Sequence, residues 1–263
     1  MNKLSERIDG IILDLDGTVY KGKQMIPGAD EAIHYLRSIG KRIVFLSNRG
    51  NISRAMCRVK LEQMGIRADE SELLLTSNVT AQYLRRHHPS ERIWVLGEQG
   101  LRDEIELAGL QLAQVPEQAH WLVITLHETV TYTDLNMAFR AARSGAQIIA
   151  TNTDRTFPGD DGDCIDVAGM IGAITSTTDA QVSVVIGKPS AHMSDAALQV
   201  LGVPPERCLV VGDSLASDIR MGIRAGMASA LVLSGSTTRE QAADSEVKPD
   251  YTWESLADIL HYC

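Results

Sequence analysis

The 263-residue chain is 44% hydrophobic and 22% charged, enough for a sizeable core and for one large or two modest domains. Its formal net charge of −9 argues against general affinity for nucleic acid or an anionic membrane, while leaving room for a local positive site. No uninterrupted apolar run approaches the roughly 18 residues of a membrane span, and Cys57, Cys164, Cys208 and Cys263 are too scattered for a metal or disulfide framework.

Residues 1–10 are polar, without the apolar segment of a secretory leader, and the chain reads as cytoplasmic. Residues 11–13, 43–46, 182–186 and 209–211 are short apolar runs expected to be the core strands, buried on both faces. Residues 30–38 and 53–64 have helical spacing, the second closing on Gly65. Such alternation predicts an α/β fold, a parallel sheet covered by helices on both faces.

The spacings expose an insertion. From Asp16 to Ser47 and from Lys188 to Asp213 the separations, 31 and 25 residues, each suit one helical crossover. From Asn48 to Lys188 is 140 residues, far more than one crossover needs. Inside it, residues 92–96, 121–126 and 147–150 are expected strands, and residues 98–108, 133–144 and 168–175 expected helices. A second α/β domain over 80–180 is therefore expected within a core formed by 1–79 and 181–263.

Polar residues follow each expected core strand: Asp14 and Asp16 the first, Ser47 and Asn48 the second, Lys188 the third, Asp213 the fourth. Ligands of open parallel sheets bind outside the carboxyl ends of the strands, so these groups can share one crevice. In Asp14-Leu15-Asp16-Gly17-Thr18 the two acids lie two apart and point the same way. One carboxylate can attack phosphorus in line, and the other can protonate the leaving alcohol and then activate water. Gly17 permits the sharp chain exit above Asp14. Taken alone, this motif also fits a polar strand end with a turn.

Asp213 and Asp218 add hard oxygen donors that suit Mg²⁺. Three carboxylates near a phosphate dianion need compensation, and one divalent cation plus the Lys188 ammonium supplies it. A helix-capping role is the plainer reading of Asp218. Ser47, Asn48 and Lys188 can hold phosphoryl oxygens, with Gly50 allowing close backbone approach and the helix starting near Ser53 adding a partial positive end. Singly, each fits an ordinary turn or a surface lysine.

These motifs, in this order, resemble the haloacid dehalogenase (HAD) superfamily, and the large insert resembles the α/β cap of its NagD-like, p-nitrophenylphosphatase type. Ala150-Thr151-Asn152-Thr153-Asp154 and Gly187-Lys188-Pro189-Ser190 carry the same resemblance; Leu46-Ser47-Asn48-Arg49-Gly50-Asn51 and Asp166-Val167-Ala168-Gly169-Met170 are similar to sugar phosphatases of that type. The resemblance implies a Rossmann-like core and an Mg²⁺-dependent phosphatase of small phosphorylated metabolites, with Asp14 as nucleophile and metal ligand. Asp16 is then general acid/base with its carbonyl on the metal, Asp213 the other carboxylate ligand and Asp218 an outer-shell acid. Ser47, Asn48 and Lys188 hold the phosphoryl group, while Arg49, Asn152 and Asp154 fall on the substrate side. Arg49 and Met170 stand where many relatives have a small polar residue and a serine, which bears on specificity.

Other motifs are set aside. Asp160-Asp161-Gly162-Asp163 lacks the spacing of a calcium loop, His127-Glu128 and His87-His88 lack zinc spacing, and Gly97-Glu98-Gln99-Gly100 is not a dinucleotide fingerprint. A mutase is disfavoured because the insert falls after Ser47 rather than after Asp16. A dehalogenase has no need of Asp16 and the acid cluster, and a phosphoaspartate receiver has no need of the insert. Pyridoxal phosphate and nucleotides remain alternative substrates, and oligomeric state stays open, a homodimer included.

Overall fold

The computed structural model describes residues 4–159 and 162–263. The first three residues, and Asp160 and Asp161 of the acidic run, lie outside the described residues. In chain order come α1 (Leu4–Arg7), β1 (Gly10–Asp14), the hairpin β2 (Tyr20–Lys21) and β3 (Gln24–Met25), α2 (Ala29–Ser38), β4 (Arg42–Ser47) and α3 (Arg54–Gln63). There follow β5 (Leu73–Leu75), α4 (Thr76–His87), β6 (Arg92–Leu96), α5 (Gln99–Leu107), β7 (Gln111–Leu112), β8 (Trp121–Ile124), α6 (Tyr132–Arg143) and β9 (Gln147–Ala150). The rest are β10 (Thr156–Gly159), β11 (Gly162–Ile165), α7 (Val167–Thr175), β12 (Val182–Val185), α8 (Ala191–Leu201), β13 (Cys208–Gly212), α9 (Arg220–Ala225), β14 (Ala228–Val232), α10 (Arg239–Asp244) and β15 (Tyr251–Trp253).

The chain forms two compact units, residues 1–47, 58–74 and 188–263, and residues 48–57 and 75–187. The first holds a six-stranded sheet in the order β15-β14-β13-β1-β4-β5. β1 is parallel to both neighbours, with Leu13 opposite Val211 and Asp14 opposite Leu46. Every residue of β1 and β13 is buried, which explains their unbroken apolar character. Full burial of each Ile, Leu or Val contributes about 1.5–3 kcal/mol. α2 buries Ala29, Ala32, Ile33 and Leu36, one stripe at helical spacing. Strand order runs outward from β1 through β4 and β5, then restarts on the other side with β13, β14 and β15. That reversal is the switch point at which such sheets bind ligands, and Asp14 and Asp213 both lie there.

The second unit holds a five-stranded sheet ordered β12-β9-β8-β6-β7, its pairs parallel, and the antiparallel hairpin β10-β11. Leu122, Ile124, Ile148, Ala138, Ala142, Val167 and Ile174 share its core. α6 begins with a reciprocal cap between Thr131 and Asp134.

One expected strand changes sheet. The run 182–186 is expected in the core sheet, but β12 pairs with β9 and forms the edge of the second unit's sheet. An apolar run specifies burial and does not name its partner strand, so periodicity alone could not place it. The chain instead enters the first unit at Lys188, immediately after that strand.

Candidate active site

Asp14 ends β1, Ser47 ends β4, and Asp213 follows β13. Asp218 lies in a wide π-type turn, Leu215–Ile219, that leads directly into α9. Asp14, Asp213 and Asp218 are all buried, and one carboxylate oxygen from each lies within 4.8 Å of the others. Lys188, also buried, donates from Nζ to Asp14 Oδ1 at 2.5 Å and to Asp218 Oδ1 at 2.7 Å.

The loops around this cluster hold the acids in place. Asp218 Oδ2 accepts from Ser214 N at 3.1 Å and Ser217 Oγ at 3.3 Å, so both oxygens have protein donors. Asp213 Oδ2 accepts from Ser236 N at 2.5 Å, a donor invisible to motif reading because it is backbone on a distant loop. Gly17 has φ +86, and a Cβ there would run into the Asp213 carboxylate. Its glycine identity therefore serves both the turn and the close approach of the acid.

Electrostatics follow from burial. Asp14 is raised well above the ordinary carboxylate range, first by burial, opposed by Lys188 and reinforced by Asp218 and Asp213. Asp213 is pushed up to about 6 by burial and by Asp218, against the donation from Ser236. Lys188 is raised: burial alone would weaken its ammonium, but Asp14 and Asp218 outweigh that penalty. Three buried carboxylates and one ammonium carry a formal charge of −2 (−3 + 1), which a divalent cation cancels. All three are hard oxygen donors, so the residues present fit Mg²⁺.

The Asp16 side chain is outside this triple. It is half-buried and accepts from the Tyr20 hydroxyl at 3.3 Å, while Gly17 N donates to Tyr20 O at 2.7 Å across the tight turn. Ser47 is buried at its strand end.

Asn48, Arg49, Asn152 and Asp154 belong to the second unit. There Asn48 Nδ2 donates to Asp154 Oδ2 at 3.0 Å, Asn152 Nδ2 to Asn48 O at 3.0 Å, and Asp154 N to Asn152 Oδ1 at 2.9 Å. Arg49 contributes positive potential at Asp166, the N-cap of α7. Met170 is half-buried and packs on that unit's core.

Two expectations about the second loop change. At Gly50 a Cβ would collide with the Thr125 and Thr151 side chains, so its smallness serves packing of the second unit. The start of α3 already has an anion: Glu104, on α5, accepts from Arg54 N at 2.7 Å and from the Arg54 guanidinium at 3.0–3.2 Å. Glu104 has no role in the sequence analysis, although it shares the buried stripe of α5 with Leu101 and Ile105.

Comparison with known proteins identifies relatives of the chain. Residues 11–111 match the haloacid dehalogenase-like hydrolase family model, and residues 185–259 match a HAD-hydrolase-like model. The chain is 55% identical over 250 residues to sugar-phosphatase AraL of Bacillus subtilis (strain 168), covering 95% of this chain and 91% of that protein. It is 34% identical over 253 residues to the 5'-nucleotidase YutF of the same organism, covering 96% and 98%. A solved p-nitrophenyl phosphatase from Archaeoglobus fulgidus superimposes with TM-score 0.92 at 34% identity, covering 98% of this chain and all of that one. With relatives at these identities matched along nearly their whole length, the chain belongs to the haloacid dehalogenase-like hydrolases and is a phosphatase of the NagD-like type.

Proposed function

We propose that this enzyme is an Mg²⁺-dependent phosphatase of small phosphomonoesters, sugar phosphates foremost, that works through an aspartyl-phosphate on Asp14. The carrying observation is the buried triple Asp14, Asp213 and Asp218, with the Lys188 ammonium bound to the first and the last of them. Such a site favours a divalent cation and, with it, a phosphate dianion.

Asp14, Asp213 and the Asp16 carbonyl would hold the Mg²⁺, with Asp218 supporting it from outside. The bound ion would neutralise charge on the phosphoryl oxygens. Lys188 fixes the orientation of the Asp14 carboxylate, whose oxygen attacks phosphorus in line as the ester P–O bond breaks. Asp16 gives its proton to the departing alkoxide, then takes one from the water that attacks the same phosphorus and releases phosphate. Ser47, Asn48 and Lys188 steady the phosphoryl oxygens throughout.

The insert, residues 80–180, is the part we assign to substrate choice, through Asn152 and Asp154, and Arg49, which precedes it in the chain, is a further substrate-binding residue. The similarity to a sugar phosphatase favours sugar phosphates, and that to a 5'-nucleotidase supports nucleotides as the second reading. Small phosphorylated metabolites as substrates favour a cytoplasmic enzyme, acting alone or as a homodimer.

A single turnover in ¹⁸O-water tests the chemistry. Label should enter the released phosphate and leave the Asp14 carboxylate unlabelled; label in Asp14 would mean attack at a carbonyl and would overturn the mechanism. Asp14→Asn should form no phosphoenzyme, and Asp16→Ala should lose on the order of 10²–10⁴ in rate. Comparing kcat/KM across sugar phosphates, nucleotides and pyridoxal phosphate ranks the substrates.

A further inference from the structure

Tyr20 is fully buried and opens β2, four residues after Asp16. Its backbone closes the intervening turn: Gly17 N donates to Tyr20 O at 2.7 Å, and Tyr20 N donates to Leu15 O at 3.1 Å. The hairpin pairing of Tyr20 with Met25 holds the residue from its other side. Its hydroxyl donates to Asp16 Oδ2 at 3.3 Å. A close-packed aromatic with its backbone pinned in this way has little freedom to carry its hydroxyl elsewhere.

The face of the ring carries a charge. Lys60 Nζ, on α3, lies 3.6 Å from the ring centroid. A cation there is attracted by the ring electrons. It also draws density from the phenol oxygen, which makes the O–H a better donor and the oxygen a poorer acceptor. That sets the sense of the bond to Asp16: the phenol gives its hydrogen and Oδ2 receives it. A carboxylic acid whose Oδ2 is so engaged carries its own proton on Oδ1. Asp16, Tyr20 and Lys60 all belong to the first unit, as does Asp14.

We infer that Tyr20 is a positioning residue for the acid step: it engages Asp16 Oδ2 so that Oδ1 delivers the proton, and Lys60 reinforces it through the ring. As Asp14 bonds to phosphorus and the ester P–O bond breaks, the proton on Oδ1 passes to the departing alkoxide. Asp16 is left as a carboxylate. The hydrogen bond from Tyr20 then runs to a charged acceptor, so it is stronger in the transition state than before it. This inference rests on the phosphatase reading and on Asp16 as its acid.

Leaving-group dependence is the test. An alkyl phosphate such as glycerol phosphate expels an alkoxide that needs the proton, whereas p-nitrophenyl phosphate expels a phenolate that does not. The readout is kcat/KM per folded enzyme on both esters, which reports formation of the phosphoenzyme. Tyr20→Phe keeps the ring and the backbone ties and removes only the hydroxyl. It should lose on the order of tenfold on the alkyl ester, the size of one charge-assisted hydrogen bond, and stay within about twofold on the aryl ester. Lys60→Met should show the same selectivity at about threefold. In the Asp16→Ala background, Tyr20→Phe should cost the alkyl ester nothing further. For either variant, equal losses on the two esters or no loss on the alkyl ester would overturn the inference, as would an undiminished Tyr20→Phe effect without Asp16. If Tyr20→Phe does not fold, Lys60→Met carries the same comparison. An Asp16→Ala enzyme that loses as much on the aryl as on the alkyl ester defeats the acid role of Asp16 instead. A wild-type enzyme inactive on both esters defeats the phosphatase reading, so the failures are distinct.

Discussion

Asp218 grips Lys188 with one oxygen at 2.7 Å while its other oxygen is bound by Ser214 N and Ser217 Oγ. The ammonium is therefore shared between a carboxylate locked into its loop and Asp14. Replacing Asp218 by Ala removes one of the two carboxylates that hold Lys188 and loosens its aim at the phosphoryl group. Turnover should fall by on the order of 10²-fold, as when one oriented transition-state donor is lost. Undiminished kcat/KM in a folded Asp218→Ala enzyme would show that the grip has no catalytic consequence.

The acid cluster also predicts a metal effect visible without any assay of turnover. A cation that binds the folded form stabilises it by mass action, about 2.7 kcal/mol at a hundredfold excess over its Kd. Melting temperature should rise when Mg²⁺ is added to chelator-treated protein, and Asp213→Ala should abolish most of the rise. Ca²⁺ should bind as well but support poor turnover, because it takes more ligands at longer distances. An Mg²⁺ titration that leaves the wild-type melting curve in place counts against the site.

Asp166 predicts a pH dependence of stability. Burial is the largest influence raising its carboxyl to about 6; Asp154 and Glu128 add to it, and the Val167 N–H and Arg49 oppose it. The folded chain thus binds this proton more tightly than the unfolded chain does, with its ordinary value of 3.8. The contribution is largest below about pH 4, declines as pH rises to about 6, and is flat above. Asp166→Asn keeps an acceptor for the α7 cap and does not titrate. Its melting temperature should gain on wild type between pH 4 and 6, then hold the gain at pH 8; a constant difference across that range refutes the shift.

Arg54 and Glu104 are unequal partners. Glu104 is 3% exposed and the Arg54 side chain 21%, so removing the arginine side chain takes the guanidinium from a buried carboxylate and leaves it the Arg54 backbone N–H, whereas removing the acid leaves a cation that water can reach. Arg54→Ala should cost about 3 kcal/mol and Glu104→Gln clearly less. Urea unfolding of both variants measures the asymmetry, and the reverse order would contradict it.

Sequence reading expected Asp14, Lys188 and Asp213 to meet because strand ends in a parallel sheet converge, and the structure brings them together. Asp14 and Asp213 needed no long-range information beyond the order of their strands, whereas the strand before Lys188 belongs to the other sheet. It recovered Arg92–Leu96 and Gln147–Ala150 to the residue, since a strand buried on both faces has sharp polar limits. It misplaced β12 because apolar character does not specify a neighbour. It also missed the pairing among Asn48, Asn152 and Asp154, which depends on loops that bring residues about a hundred positions apart within hydrogen-bond reach. Glu104 stayed hidden for the same reason, its partner lying 50 residues away.

The placement of β1 bears on how the chain acquires its structure. β1 forms one edge with β4, only some thirty residues on, and the other with β13, where Gly10 faces Cys208. Nearly two hundred residues must therefore be synthesised before the central strand gains its second neighbour. The five strands β6, β7, β8, β9 and β12 all lie between those partners, and their sheet is complete by Val185. Closing the longer loop costs more entropy and delays non-local pairing. The second unit should thus protect its amides first, with β1 and β13 acquiring protection together and last. Pulse-labelled hydrogen exchange during refolding reads that order directly, and early protection of β1 would contradict it.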